Sequence, residues 1–101
     1  MKPYVLSPEA AGDLADIWFY IESRSRPEVA DRVIGDIEAK IEMICGSPGI
    51  GHRRKDLADE DYRCLAVYSY VIVYRHKTNP IEIASVLHGK RDVERILDDR
   101  L

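Results

Sequence analysis

The segment YRCLAVYSYVIVYR, residues 62–75, sets two runs of strand-favouring residues on either side of the dipeptide Tyr68-Ser69. Such runs with a turn-like break between them read as a hairpin of two strands, Tyr62–Val67 and Tyr70–Arg75. A third run, Ile81–His88, follows HKTNP, in which Asn79 and Pro80 are turn formers. The second half of the chain therefore predicts a three-stranded antiparallel meander.

Upstream of the hairpin lies a charged connector, HRRKDLADED, and before it the stop GSPGIG, Gly46 to Gly51. That stop ends a helical pattern that starts near Pro27, with Ala30, Val33, Ile34, Ile37, Ile41, Ile44 and Cys45 as its apolar stripe. An earlier helix carries Leu14, Ile17, Trp18 and Ile21 at helical spacing, with Ala11 and Ala15 extending the stripe and Asp13, Asp16 and Glu22 off it. Ser7 is its predicted cap, with Pro8 at the first position and Glu9 near the positive end of the dipole. A short strand, Pro3 to Leu6, precedes the cap, and the breaker SRSRP joins the helices into an antiparallel hairpin.

Beyond His88 the chain breaks at Gly89 and resumes a helical period with Val93, Ile96 and Leu97. The predicted order is β-α-α-β-β-β-(α), an α+β domain over residues 1–101. Its helical hairpin packs on a small, mainly antiparallel sheet, and the first strand returns to pair with the meander. The other sheet face and the terminal helix are expected to stay open to a partner.

The net charge of −3 falls unevenly: residues 1–50 carry five Lys/Arg against nine Asp/Glu, and residues 51–101 ten against nine. That balance argues against a general or sequence-specific nucleic-acid binder and confines basic character to local patches. No run approaches the roughly 20 apolar residues of a membrane span, and the opening MKPYVLSPEA lacks the apolar core of a secretion signal, so the expected location is the cytoplasm with no membrane partner. Cys45 and Cys64 lack CxxC spacing and read as reduced, buried small hydrophobes. His52, His76 and His88 share no short ligand spacing, so neither a metal nor another cofactor is expected.

The stretches YVLSPEAAGDLADIWFYI, ADRVIGDIEAKIEMICGSPGIGHRR, YRCLAVYSYVIVYR and IEIASVLHGKRDVERIL, in this order and over this length, resemble the ParE branch of the RelE/ParE toxin superfamily. The resemblance covers nearly the whole chain. It implies the toxic half of a bacterial toxin–antitoxin pair, of the kind that stabilises plasmids, and two rival activities. Relatives on this fold either cleave messenger RNA in the ribosome or poison DNA gyrase without chemistry of their own.

RNA cleavage by the 2′-hydroxyl needs a base, an acid and cations around the phosphorane. The candidates are His88 as base or acid, Arg63 and Arg91 as phosphate clamps, and the basic Arg53, Arg54 and Lys55. RNA-cleaving relatives carry a tyrosine or equivalent after the last strand, however, and GKRDVERILDDRL holds no aromatic residue or histidine. The tail looks instead like that of gyrase-directed relatives. Lys90, Arg91 and Arg95 would then meet an acidic surface or DNA phosphates, and Ile96 and Leu97 would dock on the body or the target. The first reading is thus a gyrase poison, the second a ribosome-dependent endonuclease, and the third an inactive relative kept as a binding module.

Finally, WFYI, Trp18 to Ile21, cannot turn four large side chains to one core at about 100° per residue. Trp18 and Ile21 belong to the stripe, so Phe19 and Tyr20 are expected to face outward. Trp18, Phe19 and Tyr20 are the candidate docking site for an antitoxin, which the resemblance implies is of ParD type, folds on binding and builds higher-order toxin–antitoxin complexes.

Overall fold

Ser7 is the residue at which strand becomes helix in the computed structural model, which describes residues 4–53 and 61–89. Its hydroxyl accepts the Ala10 N–H at 3.0 Å, closing the first turn of α1 (Pro8–Arg24), and donates to the carbonyl of Ala84 at 2.7 Å. The first bond is the predicted N-cap, worth about 1 kcal/mol. The second ties the start of α1 to the sheet.

β1 (Tyr4–Leu6) runs parallel to β4 (Ile81–His88), which pairs antiparallel with β3 (Tyr70–Arg75), and β3 with β2 (Tyr62–Val67). The strand order is β1-β4-β3-β2, with the first strand returning to the meander as expected. The hairpin bounds match the predicted ones, and Tyr68 and Ser69 form the turn. Tyr68 enters that turn at φ 54°, the positive φ that tight two-residue hairpin turns demand and that a tyrosine adopts only under constraint. Its hydroxyl donates to the Asp36 carboxylate on α2 (Pro27–Gly46), tying the turn to the helical layer. The β3–β4 connection includes a cis Asn79-Pro80 bond.

α1 and α2 are joined by Ser25 and Arg26 alone, and the Trp18 indole N–H donates to Asp31 across the hairpin at 2.8 Å. The predicted stripe of α2 meets the sheet: Ile37, Ile41 and Ile44 are fully buried with Ile72, Tyr74, Ile83 and Val86. Each such isoleucine removed from water contributes about 1.5–3 kcal/mol.

The phase of α1 differs from the expected one. Ala11 and Ala15 are exposed, whereas Ala10, Asp13 and Ile17 are buried, with Leu14 and Ile21 flanking them. The reason lies in the edge of β4. β1 covers it only as far as Ile83, and the sheet bulges there, with Val73 opposite Ser85 and Tyr74 opposite Ile83. Beyond β1, the Ile83 carbonyl accepts from the Ser7 N–H, the Ala84 carbonyl from the Ser7 hydroxyl, and the Val86 N–H donates to Asp13 Oδ2 at 3.0 Å. Strand pairing is continued by side chains of the helix, which must turn Asp13 inward to reach.

A second correction concerns the far side of the sheet, which was expected to be open. Tyr62, Cys64, Val73, Ala84 and Leu87 form a second buried cluster there. The near-continuous apolar runs of β3 and of Ala84–Leu87 in β4 put apolar side chains on both faces, the pattern of a sheet buried on both sides. The predicted terminal helix, most of the charged connector and Pro3 lie outside the described residues. Cys64 is buried and Cys45 half-buried; no disulfide joins them, and burial followed by Glu42 pushes the Cys45 thiol pKa up.

Candidate functional site

Arg63 and His88, the described members of the trio His88, Arg63 and Arg91 that the endonuclease reading would require, project from the same sheet face at opposite ends. The strand register puts Arg63 in one row with Tyr74 and Ile83, and His88 in another with Tyr70 and Val67. The rows are four residues apart along β2, and the two side chains stand two strands apart. This separates their backbones by roughly 13 Å along the strands and 10 Å across them, about 16 Å in all.

Each has local partners. The half-buried His88 ring packs edge-on against Tyr70, with centroids 5.6 Å apart and planes at 85°. Burial, and then the charge of Tyr20, push the Tyr70 hydroxyl pKa up. Arg63 sits beside a different tyrosine. Tyr74 lies fully buried, its hydroxyl donating to the Pro48 carbonyl at 2.7 Å and accepting the Gly51 N–H at 2.9 Å. These bonds hold the 3-10 turn Pro48–Ile50 against the sheet. Burial pushes the Tyr74 pKa up, against the lowering effects of the Gly51 bond and the Arg63 charge. One Arg63 nitrogen makes a long 3.5 Å contact with the Gly51 carbonyl, while its Nε is buried without a hydrogen-bond partner. Arg53 is exposed, and Arg54 and Lys55 lie outside the described residues.

The basic tail residues Lys90, Arg91 and Arg95, with Ile96 and Leu97, also lie outside the described residues. What the fold shows is their point of departure: the Gly89 N–H donates to the Ser69 carbonyl at 2.6 Å, so the chain leaves the sheet beside the β2–β3 turn. Among the described residues no group of three metal-ligating side chains converges, and no helix is long and apolar enough to cross a membrane.

On α1 the expected outward pair faces solvent: Phe19 is 64% exposed and Tyr20 56%. Trp18 is half-buried and packs edge-on against Phe19, with centroids at 5.2 Å. The Arg24 guanidinium lies 4.6 Å over the Tyr20 ring. Trp18 and Phe19 are thus in contact, Trp18 turned toward α2 and Tyr20 toward Arg24, with Phe19 between them on the helix surface. Sequence reasoning overlooked Tyr70 and Tyr74; the two-residue turn contained the signal for the latter, since it sets the register that places Arg63 opposite Tyr74.

The family model described as the ParE toxin of type II toxin–antitoxin systems, parDE, matches residues 4–93. Toxin ParE1 of Caulobacter vibrioides is 43% identical over 88 residues, covering 87% of this chain and 90% of that protein. Toxin ParE1 of Mycobacterium tuberculosis is 32% identical, covering 93% and 96% respectively, and Toxin RelE3 of C. vibrioides is 30% identical, covering 88% and 96%. Among solved structures, one titled as a chromosomal ParDE system from P. aeruginosa superposes with a TM-score of 0.73 at 20% identity, covering 86% of this chain and 95% of that one, a likeness of fold. Model, relatives and fold agree: the chain belongs to the ParE toxin family of type II toxin–antitoxin systems.

Proposed function

We propose that this toxin acts on DNA gyrase, holding the enzyme on cleaved DNA, and that a ParD-type antitoxin neutralises it by covering the aromatic face of α1. The gyrase supplies the bond-breaking chemistry, and the toxin supplies a surface. Lys90, Arg91 and Arg95, with Ile96 and Leu97, are the contacts assigned to the target.

The observation that carries this reading is the separation of Arg63 from His88. A ribonuclease of this fold needs its proton-transfer group and its phosphate clamp on one scissile phosphate, within hydrogen-bond reach. A backbone separation of about 16 Å at opposite sheet ends weighs against Arg63 serving as the clamp for a proton transfer at His88. A binding surface has no such requirement.

The test mixes purified toxin, gyrase, ATP and supercoiled plasmid, followed by detergent and protease. Accumulation of linear DNA is the expected result. Intact plasmid with normal supercoiling, together with cleaved mRNA on ribosomes, would replace this reading with the endonuclease. The bacterial cytoplasm is the compartment in which gyrase is met.

A further inference from the structure

The described residues divide by charge along the same line as by layer. Residues 8–46, both helices and their connection, carry nine carboxylates against four cations, a net −5. The other described residues carry Arg53, Arg63, Arg75 and Lys77 against Asp61 and Glu82, a net +2. Of the nine helical carboxylates, Asp13 alone is buried. The helical layer therefore presents an acidic field to solvent, against which the aromatic patch is set.

Phe19 lies three residues from Asp16 on one side and from Glu22 on the other, the spacing of neighbours on a helix surface. The patch is thus an apolar centre with an anionic rim. An exposed aromatic pair on a small domain marks an interface, and the sign of its rim selects what can approach. A segment bearing carboxylates would set them beside Asp16 and Glu22, whereas lysine or arginine would find an opposite charge and a ring face. Arg24 over Tyr20 already shows that such a ring takes a cation.

We infer that the outer face of α1, centred on Phe19 and rimmed by Asp16 and Glu22, docks a partner-protein segment that surrounds an apolar anchor with lysine or arginine side chains. The identity of that partner as an antitoxin rests on the proposed function; the chemistry of the segment rests on the surface. The rim steers and selects while the aromatic centre supplies most of the affinity, so the two contributions separate by salt.

The experiment titrates the folded chain with an amphipathic leucine–lysine peptide and its leucine–glutamate counterpart, read by the fluorescence of Trp18, the single tryptophan, which packs on Phe19. The lysine peptide is expected to bind at least about tenfold more tightly than the glutamate one, with the advantage shrinking by about tenfold as salt is raised to about 0.3 M. Asp16→Lys with Glu22→Lys should invert the preference, and Phe19→Ser should weaken both peptides. Should the double lysine variant fail to fold, Asp16→Asn with Glu22→Gln should abolish the preference. Equal binding of the two peptides, binding of neither, or a preference that survives these substitutions overturns the inference. Growth arrest on induction of the wild-type chain is read separately. Arrest without charge selectivity removes the docking chemistry and leaves the toxin standing, and charge-selective docking by a harmless chain does the reverse.

Discussion

Asp13 on α1 accepts the backbone N–H of Val86 on β4 at 3.0 Å, across 73 positions of sequence, with the aspartate only 8% exposed. A carboxylate on the inner face of an amphipathic helix would ordinarily cost stability. Here it supplies the acceptor that a longer first strand would have provided, and with Ser7 it extends the pairing of the β4 edge beyond Leu6.

Removing that acceptor has a measurable cost. Asp13→Ala should lower unfolding free energy by about 1–3 kcal/mol, because the buried Val86 N–H is left without its side-chain acceptor. Asp13→Asn, which retains an oxygen there, should recover part of the loss. Urea denaturation of the three proteins decides it; an alanine variant as stable as wild type would mean that the bond contributes nothing.

Tyr74→Phe deletes a hydroxyl that serves both Pro48 and Gly51, and should cost about 1–3 kcal/mol. The same hydroxyl predicts a pH dependence. Its pKa is raised above the ordinary 10.0, chiefly by burial, so the folded state holds the proton more tightly than the unfolded chain. The resulting stabilisation is complete below the unfolded value of about 10 and is lost as pH rises through the folded value. Alkaline denaturation of wild type should therefore be steeper than that of Tyr74→Phe.

At Gly51 the backbone approaches Tyr74 so closely that an added Cβ would lie 2.5 Å from its hydroxyl oxygen. Gly51→Ala should destabilise by about 1–3 kcal/mol through overpacking. In the Tyr74→Phe background the penalty should shrink without vanishing, because the ring carbon at 2.9 Å and the Cys64 carbonyl at 3.0 Å remain. Additive effects in the double mutant would show that the contact is not the cause.

The turn at Tyr68 couples strain to a bond. Tyr68→Phe removes only the hydroxyl that reaches Asp36 and should leave stability close to that of wild type, since that bond is exposed to solvent. Tyr68→Gly loses the same bond but relieves the left-handed backbone, and should be more stable than the phenylalanine variant by about 1 kcal/mol. Thermal melts of the two variants, compared with each other, give the answer.

On the surface, Phe19→Ser with Tyr20→Ser should leave stability within about 0.5 kcal/mol of wild type, because both rings are mostly exposed. Under the proposed function the same variant escapes neutralisation by its antitoxin while staying toxic. His88→Ala should also stay toxic, whereas loss of toxicity with retained fold would return catalysis to His88.

The element order, the cap at Ser7, the stop after α2, the hairpin and the outward pair Phe19 and Tyr20 could all be read from the chain, because each follows from local preference or from periodicity along one element. The phase of α1 could not. Leu14, Ile17 and Ile21 allow either Ala11 and Ala15 or Ala10 and Asp13 beside them, and what decides is a bulge in β4 more than 65 positions away that leaves the Val86 N–H for Asp13. The burial of the far sheet face was likewise not legible in any one strand, because its cluster is assembled from side chains of β2, β3 and β4 that only the register brings together. The separation of Arg63 from His88 is likewise a matter of register across three strands. Local sequence determined which elements form and which side chains they offer; only tertiary pairing, which matches donors to acceptors across the sheet, decided which of those side chains meet.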